Sequence, residues 1–249
     1  MNTGEPLLML DRVVAGYGKM TILNGTTARI RRAAITTVIG PNGAGKSTMF
    51  KTVFGLLPVR TGAIAFGGRD ITNFSPRRLL DAGIIYIPQG RNIFPELSVR
   101  HNLELGGVAL ARQAELASRI ADVMQRFPML REKAGKQAST LSGGQQKILE
   151  IARGLLLDPK LVLIDEPSIG LSPLMVREVF AILKDLRDKG VTVLLIEQNA
   201  KQALQISDYG LVLEQGQTRI EASAPQILAD PRIAQLFLGG GLLQPEQVA

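Results

Sequence analysis

Gly40-Pro41-Asn42-Gly43-Ala44-Gly45-Lys46-Ser47 is the stretch from which the fold follows. Its glycines let backbone N–H groups turn inward and cradle phosphates, and Lys46 can reach the β- and γ-phosphates of a nucleotide. Ser47 offers a hydroxyl to Mg²⁺, and Thr48 can donate to the α-phosphate. Such a loop works only between a strand and a helix. Both are readable: Ile35-Thr36-Thr37-Val38-Ile39 is a β-branched run ending at the loop, and residues 46–54 continue as a helix that Gly55 can end.

Outward from this loop, residues 84–87, 161–164 and 191–196 are continuous apolar runs. Runs of that kind suit parallel strands covered on both faces. Residues 7–15 and 21–30 read as two further strands flanking a turn at Gly16-Tyr17-Gly18. Between 90 and 153 the pattern changes to helical spacing, with Leu116, Ile120, Val123, Met124 and Phe127 on one stripe. Ser172-Pro173 opens another helix as N-cap and first-turn proline, with Val176, Val179, Phe180, Leu183 and Leu186 as its buried stripe and Gly190 as its end. The expected fold class is α/β. Residues 1–89 form the first part of the core, 90–153 an inserted helical subdomain, 154–238 the second part of the core, and 239–249 a flexible tail.

Composition narrows the setting. The chain has 249 residues, no cysteine and a formal charge of +7. No apolar run approaches the roughly 20 residues of a membrane helix, and residues 1–10 lack the pattern of a secretory signal. A reducing, cytoplasmic location is expected. Acidic and basic residues are interspersed, so the charge reads as a solvated basic surface. With three tyrosines and no tryptophan there are few stacking platforms for nucleic acid, and none is expected as a partner.

Two more motifs complete the reading. Leu161-Val162-Leu163-Ile164-Asp165-Glu166 brings two carboxylates to the end of a buried strand, where they are costly unless a metal, a cation or a substrate meets them. Leu141-Ser142-Gly143-Gly144-Gln145 alone reads as a turn before a helix over 146–157. Its place between Lys46 and Asp165 is what makes it specific. In this order and spacing the three motifs resemble those of the ATP-binding cassette (ABC) ATPases, over about residues 7–220.

That resemblance implies roles. Asp165 holds Mg²⁺ through water and Glu166 polarises the attacking water. Ser142, Gly143, Gly144 and Gln145 bind the γ-phosphate of ATP held by another protomer, in a head-to-tail dimer. Tyr17 stacks on adenine. Gln89 touches Mg²⁺ and the water, and hinges the helical insert. In Arg91-Asn92-Ile93-Phe94-Pro95-Glu96-Leu97 the apolar residues Ile93, Phe94 and Leu97 either meet a membrane subunit or pack inside the lobe.

The chain also departs from the family. Gln198 stands where most members have a switch histidine. It can hydrogen-bond but cannot carry charge, so slower hydrolysis with weaker pH dependence is expected. His101 lies in the insert and reads as a solvated or interface residue. Ser172 replaces the usual aspartate of the loop after Glu166. Glu197-Gln198-Asn199, Pro167-Ser168-Ile169-Gly170-Leu171-Ser172-Pro173, Gln89-Gly90-Arg91-Asn92-Ile93-Phe94 and a segment at 230–239 resemble one subgroup, the LivF-type ATPases of branched-chain amino-acid importers, which more often have glutamate at the position of Gln89. The resemblance implies an ATPase at the cytoplasmic face of the inner membrane. Its partners would be ATP with Mg²⁺, two permease subunits, a second ABC ATPase and, indirectly, a periplasmic binding protein. An ABC ATPase acting on ribosomes or DNA usually has two cassettes or a coiled-coil insertion, and neither is present. Importers of amides or urea use similar ATPases, and a dormant nucleotide sensor is argued against by Glu166.

Overall fold

The computed structural model describes residues 5–110 and 113–231. The chain opens with β1 (Leu8–Tyr17) and β2 (Met20–Ile30), an antiparallel hairpin, followed by β3 (Ile35–Ile39) and α1 (Lys46–Val53). Next come β4 (Val59–Phe66), β5 (Arg69–Asp70), α2 (Pro76–Ala82) and β6 (Ile84–Ile87). Helices α3 (Val99–Gly106), α4 (Leu116–Arg126), α5 (Pro128–Glu132) and α6 (Gly143–Leu155) form the insert. The chain then returns through β7 (Leu161–Asp165), α7 (Pro173–Asp188), β8 (Thr192–Ile196), α8 (Ala200–Ile206), β9 (Tyr209–Glu214), β10 (Gln217–Ser223) and α9 (Ala224–Ala229).

These elements make two sheets, an antiparallel one of order β2-β1-β4-β5 and a mixed one of order β10-β9-β3-β8-β7-β6. Strands β9, β3, β8, β7 and β6 are parallel. Register decides where the motifs go. Val38 pairs with Ile196, Ile196 with Asp165, and Ile164 with Ile87. The carboxyl ends of four strands therefore lie side by side, and the loops carrying Lys46, Glu166, Gln198 and Gln89 leave from one edge. In open α/β sheets ligands bind outside these strand ends.

Helix α1 is sandwiched between the two sheets, with Met49 and Phe50 fully buried among Leu10, Leu23, Val38, Leu163 and Leu194. Full burial of one such side chain is worth about 1.5–3 kcal/mol. On the opposite face, Val176, Val179, Phe180, Leu183 and Leu186 of α7 cover Val162, Ile164, Val193 and Leu195. The insert has an apolar core of its own, built from Leu103, Val123, Met124, Phe127, Leu130, Ile148 and Leu149.

Two expectations need correction. The first turn is not at residues 16–18: Gly16 still pairs with Thr21 and Tyr17 with Met20, so the hairpin turns at Gly18-Lys19. The strand needs glycine at position 16, because a Cβ there would lie 2.1 Å from the Met20 carbonyl oxygen. The helix expected at 146–157 starts earlier, at Gly143, and ends at Leu155. Its glycine pair reads as a loop, but Ser142 and Gln145 form a capping box, and Gly144 lets α7 approach so closely that a Cβ would meet Met175 at 2.5 Å. The tail expected at 239–249, and all but the first two residues of the segment 230–239, lie outside the described residues.

Candidate active site

Lys46 opens α1. Its N-cap is Gly45, no side chain caps the helix and no acidic residue sits in the first turn. The first N–H groups thus point out of the helix with its positive dipole end, ready for an anion. Gly40 lies so close to the neighbouring strand that a Cβ would come within 2.0 Å of the Leu213 carbonyl oxygen. Lys46 Nζ donates to the carbonyls of Gly40 (2.8 Å) and Pro41 (3.1 Å). Burial lowers the Lys46 pKa, while the charges of Glu166 and Asp165 pull it back up.

Across the loop stands Asp165, 2% exposed. Its Oδ2 accepts a long hydrogen bond from the Tyr86 hydroxyl (3.4 Å), whereas Oδ1 is enclosed and has no partner that meets hydrogen-bond geometry. Burial raises the Asp165 pKa; the hydroxyls of Ser47 and Tyr86 and the charges of Lys51 and Lys46 oppose that rise. The Tyr86 phenol is pushed well above its ordinary value by burial and by Asp165.

Glu166 follows with φ of 47°, a left-handed backbone unusual for a non-glycine. Its N–H donates to Ile196 O at 2.8 Å, and its Oε2 accepts from Gln89 Nε2 at 2.9 Å. Burial raises the Glu166 pKa, the Asp165 charge adds to this, and Lys46 offsets part of it.

One cleft of about 480 Å³ gathers these groups. It is lined by Asn42, Gly43, Ala44, Gly45, Lys46, Ser47 and Thr48 on one side and by Gln89, Glu166, Ile169 and Gln198 on the other. Gly40 and Pro41 serve it through the carbonyls that hold Lys46. Tyr17 does not line this cleft; it is 44% exposed at the end of β1, with Lys51 Nζ 3.4 Å from its hydroxyl. Arg60 fixes that hairpin by donating to Gly18 O, Met20 O and Thr21 Oγ1.

Ser142, Gly143, Gly144 and Gln145 do not line the cleft of their own chain. They sit at the start of α6. The Ser142 hydroxyl accepts from Gln145 N, and Gln145 Oε1 accepts from Ser142 N and from Lys133 Nζ. Ser172 caps α7 by accepting from Met175 N. His101 is exposed on α3. The apolar residues after Gln89 divide: Ile93 packs against the core of the insert, whereas Phe94 is 46% exposed beneath the Arg153 guanidinium.

Two groups of residues escaped the sequence reading. Glu197 is buried next to Gln198 and accepts from Ser168 N, Ser168 Oγ and Gln198 N. The argument that singles out Asp165, a carboxylate at the end of an apolar strand, applies to it equally. The second group is the buried pair Lys147–Glu150 of α6, which holds the loop after Gln89: Lys147 Nζ donates to Gly90 O and Glu150 Oε1 accepts from Asn92 N. Nothing in the residue pattern marks that pair, because its partners are backbone atoms far away in the chain.

The Asp165 carboxylate, with its Oδ1 enclosed and the Ser47 hydroxyl acting on the same group, fits the water shell of a hard cation. Among the described residues no cluster of three or more His, Cys, Asp or Glu could hold a metal alone. A Mg²⁺ ion here would need nucleotide phosphates to complete its oxygen shell.

The family model described as "ABC transporter" matches residues 23–169. The chain is 37% identical over 234 residues to the high-affinity branched-chain amino acid transport ATP-binding protein BraG of Pseudomonas aeruginosa, covering 94% of this chain and 100% of that one. It is 36% identical over 234 residues to the probable branched-chain amino acid transport ATP-binding protein LivF of Archaeoglobus fulgidus, covering 94% and 99%. The crystal structure of the ADP conformation of MJ1267, an ATP-binding cassette of an ABC transporter, superposes with a TM-score of 0.84 at 28% identity, covering 95% of this chain and 100% of that one.

Proposed function

The chain belongs to the ABC transporter family of ATP-hydrolysing subunits, and from that premise we propose that it powers uptake of branched-chain or related amino acids through separate permease subunits. Family members use nucleotide, generally with Mg²⁺, and work peripherally at the membrane with permeases. No helix among the described residues is long and apolar enough to cross a membrane. The observation that carries the reading is the cleft in which the phosphate loop faces Glu166, Gln89 and Gln198.

In that cleft the N–H groups from Gly43 to Thr48 bind the phosphates, and Lys46 leaves the Gly40 and Pro41 carbonyls for the β/γ-phosphates. Glu166, held by Gln89, orients and polarises the attacking water; such help is worth about 10²–10⁴-fold in rate. Ser47, Gln89 and Asp165 would hold Mg²⁺, which when bound neutralises phosphate charge. Gln198 offers a hydrogen bond without a positive charge. Tyr17 supplies a flat face for adenine. The γ-phosphate is completed by Ser142–Gly144 of a second ATPase, because these residues do not line the cleft of their own chain. A mixed dimer, whose other member supplies the missing histidine, suits this arrangement.

A groove of about 170 Å³ is lined in part by Asn92, Gly106 and Arg153, and the Arg153 guanidinium lies over the exposed Phe94 ring. This is the face we assign to the permease. The 90–153 lobe passes motion from the cleft to it. A tagged chain pulled from detergent-solubilised native membranes is expected to bring two multi-span permeases and a second ATPase, with a binding protein then screened for cargo. Recovery of ribosomal or DNA-bound partners alone would sink the transport reading.

A further inference from the structure

We propose that Glu197 is a positioning residue for hydrolysis: it ties the loop after Glu166 to the loop bearing Gln198 and so holds Glu166 in its working backbone conformation. The inference rests on the reading of Glu166 as the residue that polarises water. Glu197 is 3% exposed, and its two oxygens meet three donors. Oε1 accepts from Ser168 N at 2.9 Å, and Oε2 accepts from Ser168 Oγ at 2.6 Å and from Gln198 N at 3.2 Å. One side chain therefore grips residues on both sides of the cleft edge, 29 positions apart in the chain.

What this grip secures is Glu166, two residues before Ser168. A left-handed backbone at a non-glycine is strained and persists only where its surroundings over-determine it. On one side the Glu166 N–H is fixed to Ile196 O, the residue before Glu197. On the other, Ser168 is fixed to Glu197 itself. Ser168 O in turn accepts from Leu171 N at 3.1 Å, which sets the approach to Ser172, the cap of α7. Packing alone does not call for a carboxylate here: burial raises the Glu197 pKa, the Glu166 charge adds to the penalty, and only the three donors oppose it. A glutamine of the same shape could satisfy at most one oxygen's donors and would turn an N–H₂ group toward the others.

The test is steady-state phosphate release and binding of a fluorescent ATP analogue by the full chain with Mg²⁺, in the parent, Glu197→Gln and Ser168→Ala. Glu197→Gln is expected to lower kcat at least about tenfold with KM and analogue affinity within twofold, because the phosphate loop is untouched. Ser168→Ala, which removes only the hydroxyl donor, is expected to lower kcat about threefold. The double variant is expected to be no slower than Glu197→Gln alone, since both changes cut one link. A kcat within twofold of the parent in Glu197→Gln overturns the inference, as does a parallel loss of nucleotide affinity or additive effects in the double variant. If Glu197→Gln does not fold, Ser168→Ala decides by the same criteria. A parent chain without any rate would instead sink the role of Glu166, and this inference with it.

Discussion

Asp165 and Glu166 are adjacent carboxylates held in opposite ways. Asp165 is enclosed with one oxygen unpartnered, whereas Glu166 reaches into the cleft on a strained backbone. Burial raises the pKa of Asp165, so its ionised form costs stability in the nucleotide-free chain. The sign follows: the folded chain holds its proton to higher pH than the unfolded chain does. That contribution to stability is complete below the ordinary value of 3.8 and is lost as pH rises through the raised one. Asp165→Asn is therefore expected to raise the nucleotide-free Tm at pH 7, by a few degrees in a thermal melt, while phosphate release falls at least a hundredfold. A lowered Tm would contradict this. At this scale the sequence reveals residues whose chemistry is local, such as Lys46 and the Ser172 cap. It marks Glu197 as a strand-end carboxylate like Asp165 but hides what that carboxylate holds, a loop 29 positions away.

Helix α6 anchors the loop after Gln89. Its first residue follows a capping box, and its body presents Lys147, Glu150 and Arg153 to the loop after Gln89. Lys147 and Glu150 side chains are 6% and 3% exposed. Removing one partner of such a pair is typically worth about 3–5 kcal/mol of destabilisation, whereas an apolar replacement of both is often neutral. Glu150→Ala is thus expected to cost about 3–5 kcal/mol in urea denaturation, and Lys147→Met with Glu150→Leu about 1 kcal/mol or less. The apolar double variant should nonetheless hydrolyse ATP more slowly, because Gly90 and Asn92 lose their anchors and Gln89 its support. Ser142→Ala is expected to cost about 1 kcal/mol through the lost cap; circular dichroism melts check this. The start of α6 was misread because Gly143-Gly144 looks like a loop when the packing of α7 is unknown. The strands at 35–39, 84–87 and 161–165 were readable because fully covered parallel strands leave an uninterrupted apolar run.

At the scale of the whole molecule, topology does what no single motif can. Parallel strands in register bring four loops, dispersed over more than a hundred residues, to one edge. The order of the motifs in the chain was enough to recognise the family, and through it the fold. What needed coordinates was the division of the site: the phosphate loop, Glu166, Gln89 and Gln198 share a cleft, while Ser142–Gln145 stand apart at the head of α6. Nucleotide that binds only the folded state should stabilise it. At a hundredfold excess over Kd this amounts to about 2.7 kcal/mol, so Mg²⁺ with ATP is expected to raise the Tm of Glu166→Gln, and Lys46→Ala is expected to abolish that rise.

If this cleft hydrolyses ATP with Glu166 polarising the water, steady-state phosphate release by the purified full chain, beside Glu166→Gln with ATP binding measured in both, should separate binding from chemistry. The expected result is a saturable rate in the parent and a rate at least about a hundredfold lower in the variant, at unchanged ATP affinity. A variant as fast as the parent, or a parent that binds ATP and Mg²⁺ without releasing phosphate, would contradict it.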